Sequence, residues 1–285
     1  MKIAHLILAH KNPAQLERLL DVLDHPDFTF FIHLDKKTDI TAFKYLGKRK
    51  NILFVKKRAK INWAGYGTIQ ATLNGFLEII PGNYDYINVI SAQDFPIKPA
   101  NYIYQYINDR KGAEFITCES IEDEWKEAAI RVQHYHLIDW NIPGKYRLAK
   151  LLTKLMPPRK FPLNYKLVGR ANWFTITKEA AAYILLFIEK HPEIIRYFKY
   201  CWGADEFFFA TILFNSDFKK NIQKNLVFVD WNVPQKNGHP KILGVQDFES
   251  LQTSDKLFAR KFDMNTGTEI FEKLENWIGY NKSNQ

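Results

Sequence analysis

Asp205 and Glu206 stand side by side in the run CWGADEFFFATIL, with Phe207, Phe208 and Phe209 directly behind them. A carboxylate crowded by aromatic rings is partly stripped of water, which raises its proton affinity and suits it to take a proton from a hydroxyl. Farther along, the run DKLFARKFD brings Arg260 and Lys261 together, two cations able to hold a departing phosphate. A base and an anion holder together make the machinery of a group-transfer enzyme. The same residues also have a plainer reading. Acids at the start of a helix complement its N-terminal dipole, and adjacent cations sit on a solvated face.

Motifs that fail narrow the chemistry. Gly65-Tyr-Gly67 starts a dinucleotide fingerprint, but Gln70 stands at the third glycine position. There is no Walker A loop, no HExxH, no GxSxG elbow and no metal-ligand spacing among the histidines. Glu122-Asp123-Glu124 reads as an exposed acidic turn. An acid beside aromatics with cations downstream fits glycosyl transfer from a nucleotide sugar, which must deprotonate a hydroxyl and disperse the charge of a leaving diphosphate. No two aspartates are separated by one residue, so the D-x-D metal motif is missing. The diphosphate charge then falls to side chains, with Lys241 and Lys261 placed to meet it, and no metal cofactor is expected.

The elements that must position these residues alternate between strand and helix, the pattern of an α/β fold with a mostly parallel sheet flanked by helices. Ile3 to Ala9, Phe28 to Leu34, Leu53 to Val55 and Tyr86 to Ile90 read as strands, with later ones at Phe115 to Thr117, Asn172 to Ile176 and Leu226 to Val229. Asn12 caps a helix with Pro13 at its first position and Leu16, Leu19, Leu20 and Leu23 on one face. A second helix after Gly67 carries Ile69, Leu73, Phe76, Leu77 and Ile80 inward. Ligands of parallel sheets bind beyond the carboxyl ends of the strands. His10, His33, Asp35, Ser91 and Asp94 fall at such ends. His33 reads better as a structural histidine, Asp35 and Asp94 as site residues. The proline-rich stretch from Asn141 to Asn164 reads as a long excursion near a lid or acceptor surface. Residues 1–265 read as one catalytic domain and 266–285 as a C-terminal helix with a tail that frays from Asn281 to Gln285.

The formal charge of +9 raises nucleic acid, anionic lipid and phosphorylated small molecules as partners. Its clusters, Lys48-Arg49-Lys50, Lys56-Lys57-Arg58 with Lys60, and Lys219-Lys220 with Lys224, are scattered. That suits a solvated face, or a patch for a membrane surface or acidic substrate, better than nucleic-acid reading. Two cysteines, Cys118 and Cys201, exclude a disulfide framework and fit a reducing compartment. The longest apolar run, Ala180 to Ile188, falls short of the roughly 20 residues of a membrane span. The apolar N-terminus reads as a strand without a cleavage site. A cytoplasmic protein, peripheral at most to the inner face of the plasma membrane, is expected.

Seven elements in order resemble the Core-2/I-branching glycosyltransferases, which include β-1,6-N-acetylglucosaminyltransferases and peptide O-xylosyltransferases. They are Ile32-His-Leu-Asp35-Lys, Trp63-Ala-Gly65, Asn88-Val-Ile-Ser-Ala-Gln-Asp94-Phe-Pro96, Trp173 in GRANWF, Gly203-Ala-Asp-Glu206, Asp230-Trp231 with His239-Pro-Lys241, and Leu257-Phe-Ala-Arg-Lys261-Phe-Asp263. The resemblance spans Ile3 to Asp263 and implies a GT-A type fold with metal-independent, inverting transfer from a UDP-sugar. It implies Glu206 as the base and Lys261 and Lys241 as diphosphate holders. Asp35, with His10 beside it, falls on the nucleotide-sugar side, Trp231 and Trp173 on the acceptor side, and Asp94 at a substrate-orienting or structural position. Unlike the animal enzymes, this sequence shows no anchor, stem or set of cysteines, and resembles a bare catalytic domain of bacterial type. The expected donor is UDP-N-acetylglucosamine, with UDP-xylose as the alternative, and the acceptor a glycan or lipid-linked saccharide. A non-catalytic UDP-sugar-binding or nucleic-acid-binding protein is the rival class.

Overall fold

A computed structural model describes residues 1–232 and 239–280; the stretch expected to fray, Asn281 to Gln285, lies outside the described residues. Its strands are β1 (Ile3–Ala9), β2 (Phe28–Leu34), β3 (Ile52–Phe54), β4 (Tyr86–Ser91), β5 (Asp94–Pro96), β6 (Glu114–Phe115), β7 (Glu119–Ser120), β8 (Val168–Gly169), β9 (Phe174–Thr177), β10 (Ile222–Gln223), β11 (Val227–Val229) and β12 (Phe258–Arg260). Its α-helices are α1 (Pro13–Val22), α2 (Gly67–Ile79), α3 (Ala100–Asn108), α4 (Ala129–Gln133), α5 (Lys145–Leu155), α6 (Lys178–Lys190), α7 (Pro192–Phe198), α8 (Phe208–Phe214), α9 (Phe248–Thr253) and α10 (Glu269–Trp277).

The main sheet runs β10-β6-β9-β4-β1-β2-β3. All neighbours in it are parallel except β9, which is antiparallel to both β4 and β6. Every residue of β1 is buried, because a parallel strand covered on both faces has no solvent side, and its one polar residue, His5, meets Asn88 at 3.0 Å. Its register sets Leu8 opposite both His33 and Ser91. The carboxyl ends of β1, β2 and β4 are therefore level, and His10, Asp35 and Ser91 emerge along one edge. This is the mostly parallel, helix-flanked α/β architecture that the alternating pattern predicts.

The chain enters α1 through Asn12, whose side chain accepts from the Gln15 amide at 3.2 Å, with Pro13 at the first helical position. Leu16, Leu19, Leu20 and Leu23 are fully buried. On the other face of the sheet, α2 lies so close that a Cβ on Gly75 would meet Leu6 at 2.4 Å. Ile69, Leu73 and Phe76 of α2 are buried, but Leu77 is exposed, contrary to the inward position expected for it. It falls on the edge of the apolar stripe, beyond the sheet that covers the rest.

A second sheet, β11-β12-β5, sits beyond the carboxyl ends and pairs Arg260 with Asp94 in antiparallel register. Helix α10 closes this side, setting Phe271 edge-on to Phe95 at 5.1 Å and tilted against Phe262 at 5.5 Å. Its Glu275 takes a buried, two-pronged ion pair from Arg18 of α1. Such a pair is costly to break, by about 3–5 kcal/mol, because the surviving charge is left unpaired. Both cysteines are free. Among the described residues no helix is long and apolar enough to cross a membrane.

Candidate active site

A cleft of about 780 Å³ opens at the level ends of β1, β2 and β4, where Ala9, His10, Asp35 and Ser91 reach it. The second sheet supplies a facing wall through Val227, Val229, Arg260 and Lys261. The chain between α7 and α8 supplies Trp202, Gly203, Asp205 and Glu206.

Glu206 ends a short 3-10 turn, Ala204–Glu206, that begins at Gly203 in the left-handed conformation (φ 62°). The left-handed backbone favours glycine there, and a Cβ would stand 2.1 Å from the Arg131 guanidinium and displace it. Arg131 reaches Glu206 Oε1 at 2.8 Å. The guanidinium lies over the rings of Trp202, Trp125 and Phe207 at 4.4, 4.8 and 5.2 Å. Burial pushes the Glu206 pKa above the usual carboxylate range, and Arg131 draws it back down. Burial is the larger influence, so the net shift is upward and this carboxylate holds a proton more tightly than a solvated one. Asp205 is likewise raised by burial and is tied by Asn172 Nδ2 at 3.0 Å. That contact makes it a supporting residue of the turn.

Arg260 presents the opposite chemistry. Its Nε and Nη1 are buried without a hydrogen-bond partner, although Asp94 Oδ1 lies 3.6 Å from Nε. Its guanidinium rests over the Trp173 ring at 4.9 Å. Burial lowers its pKa against the pull of Asp94, Asp205 and Glu206. Unsatisfied buried donors on a cation facing a cleft are a strong anion site, because an incoming oxyanion would recover both charge and hydrogen bonds. Lys261 follows on the same wall, its pKa lowered by burial, then by Arg260 and Lys11. His10 has its pKa lowered by burial and then by Lys11, and it feels the opposing charges of Asp35 and Lys261.

The predicted residues divide into two groups. His10, Asp35, Trp173, Glu206, Trp231 and Lys261 all line the cleft. Asp35 Oδ1 accepts from the Lys37 and Ile61 amides at 2.9 and 3.4 Å. Asp94 lies behind the wall, 1% exposed, accepting from Ser91 N and Oγ at 2.9 and 3.1 Å. It reaches the cleft only through Arg260. Lys241 does not line the cleft: it is bound by Asp247, with Asp230 at 3.7 Å, and its pKa is raised by the Asp247 hydrogen bond. A lysine already neutralised by two carboxylates is a poor diphosphate holder. His33 is structural, its Nε2 accepting from the Ala59 amide at 2.8 Å and its pKa pushed down to about 4 by burial.

Arg131 is the residue that sequence reasoning misses, since nothing around it marks an arginine bound for a distant glutamate. Trp63 and Trp202, in edge contact at 5.1 Å, complete the rim near Glu206. Among the described residues, no three His, Cys, Asp or Glu side chains converge as a metal-binding group.

The family model described as Core-2/I-Branching enzyme matches residues 3–253. Xylosyltransferase oxt of Drosophila melanogaster is 22% identical over 98% of this chain and 33% of its own length. The human N-acetyllactosaminide beta-1,6-N-acetylglucosaminyl-transferase is 26% identical over 96% of this chain and 71% of its own length. The chain thus spans about a third of the xylosyltransferase it matches. Among solved structures, galactosyltransferase LgtC in complex with donor and acceptor sugar analogs aligns with a TM-score of 0.47 at 10% identity, covering 99% of this chain and all of that one.

Proposed function

The chain belongs to the Core-2/I-branching enzyme family, and from that premise we propose that it is an inverting glycosyltransferase moving a sugar from a UDP-sugar to a glycan hydroxyl. The observation that carries this reading is the arrangement of Glu206 and the Arg260–Lys261 pair on facing walls of one cleft. The acceptor hydroxyl hydrogen-bonds to Glu206, which takes its proton as the oxygen attacks the anomeric carbon from the face opposite the diphosphate. The bond from that carbon to the phosphate oxygen breaks, and the UDP anion leaves onto Arg260 and Lys261. An α-linked donor then yields a β-linked product.

In this reading the two cations do the work that a metal does elsewhere, and transfer proceeds without one. Asp35 and His10 hold the nucleoside end. Trp63, Trp202 and Trp231 offer rings for the acceptor, as aromatic faces suit sugar C–H surfaces. UDP-N-acetylglucosamine is the proposed donor, supported by the likeness to the human N-acetylglucosaminyl-transferase. UDP-xylose is the second reading, supported by the likeness to the Drosophila xylosyltransferase.

The test is donor hydrolysis by the full chain with each UDP-sugar, in excess chelator. Turnover with UDP-N-acetylglucosamine that survives chelation supports the proposal. Turnover only after manganese is restored overturns metal independence, and turnover of UDP-xylose alone moves the donor to the second reading. Binding of either donor without turnover points to a non-catalytic sugar-binding protein.

A further inference from the structure

Helix α5 buries none of its eleven residues, yet it contains four leucines. Its outward side carries Tyr146, Leu151 and Leu155, the last 71% exposed, and Met156 follows them into solvent. Trp140 and Ile142, just before the helix, are also exposed. A surface helix in water ordinarily turns its leucines toward the core, and contiguous exposed apolar side chains mark a binding surface.

Charge identifies what that surface binds. From Trp140 to Lys178 the chain carries nine Lys or Arg residues and no Asp or Glu. Arg147, Leu151 and Leu155 follow one another at four-residue intervals on the outer side, with exposed Lys150 and Lys154 on the adjacent row. Leucines flanked by long cationic side chains suit an anionic bilayer, where the apolar groups enter the acyl boundary while the ammonium groups stay among the phosphates. A second copy of the chain fits poorly. Its own α5 would bring a like-charged row with no acid to pair against.

The helix is also held in a fixed relation to the cleft. Asp139, just before it, accepts from Asn62 Nδ2 and the Tyr66 amide at 2.9 and 2.7 Å, bracketing Trp63 on the cleft rim. Beyond its far end, Arg159 donates to the Val132 carbonyl at 3.3 Å and lies 4.3 Å over Tyr197.

We propose that α5 is an interfacial helix that docks this protein on an anionic phospholipid surface, with the Trp63 rim of the cleft held near the headgroups. A saccharide carried on a lipid would thereby come within reach of Glu206. That consequence rests on the transfer reaction proposed above, whereas the docking does not.

Co-sedimentation of the full chain with vesicles tests the docking. Wild type is expected to bind equimolar phosphatidylglycerol and phosphatidylcholine vesicles at least ten-fold more tightly than pure phosphatidylcholine, and less tightly as salt rises. Two double variants, Leu151→Ser with Leu155→Ser and Lys150→Glu with Lys154→Glu, are each expected to lose at least ten-fold on the anionic vesicles. Both should keep the wild-type melting temperature and its shift with UDP. The lysine pair is exposed, so that arm does not depend on apolar packing. Equal binding to both vesicle types, or wild-type binding by both variants, overturns the proposal. So does a dimer in solution that the leucine variant disperses while vesicle binding is absent.

Discussion

Two guanidinium–carboxylate pairs face the cleft, and they are built the opposite way round. In Arg260–Asp94 the acid is hidden, its side chain 0% exposed, and the cation forms the wall. In Arg131–Glu206 the acid, its side chain 27% exposed, lines the cleft, and the cation, 16% exposed, packs behind it among aromatic rings. What makes each inversion tolerable is the neighbour of the hidden partner. Asp94 has the Ser91 amide and hydroxyl as donors, and Arg131 has the faces of Trp125, Trp202 and Phe207. One pair thus offers the cleft a cation and the other a carboxylate.

Glu206→Gln breaks the contrast most severely. It should lower the transfer rate by about 10²–10⁴-fold, the range of general-base catalysis, while UDP affinity measured by calorimetry stays near wild type. Equal activity in this variant would remove the base assignment. Next in size, Lys261→Ala and Arg260→Met should each weaken UDP binding by roughly ten- to a hundred-fold, the worth of a charged hydrogen bond, and reduce its dependence on salt. Lys241→Ala, by contrast, should leave UDP binding largely intact, because Asp247 and Asp230 already engage that ammonium.

Arg131→Met sharpens the comparison through pH. Removing the cation leaves the proton more tightly held on Glu206, and the base works only when ionised. The acidic limb of the rate profile should therefore move to higher pH, with UDP affinity unchanged; a limb that stays in place would deny Arg131 control of the base. The smallest effect is expected from Asp94→Asn. Arg260 keeps its charge but loses the carboxylate that fixes its position, so UDP binding should weaken by no more than about ten-fold, roughly 1.4 kcal/mol. A larger loss by titration calorimetry would mean that Asp94 does more than hold Arg260.

Legibility in the sequence followed the range of the interactions. Strands β1 and β2 were readable to the residue, because a strand covered on both faces is a mostly apolar run, here interrupted only by His5, Thr29 and His33. The cap at Asn12-Pro13 is chemistry between near neighbours and was equally plain. The short strands β6 and β9 were displaced by a residue or two from their expected positions, since pairing partners rather than local pattern end them. In the site, His10, Asp35, Glu206 and Lys261 could be picked out as polar or charged residues at strand ends or beside aromatics. Asp94 and Lys241 carry the same kind of signal, but neither lines the cleft.

The sequence by itself determined the layered α/β architecture, the edge along which the site forms, and the presence of an acidic pair and paired cations near it. These follow from periodicity, capping and register, which act over a few residues or along a single strand pair. Only the tertiary structure decided which partner of each ion pair faces the ligand, that Lys241 is spent on Asp247, and that α5 keeps its leucines outside. Each of those outcomes depends on what packs behind a side chain, and the packing residue lies far away in sequence, as Arg131 does from Glu206.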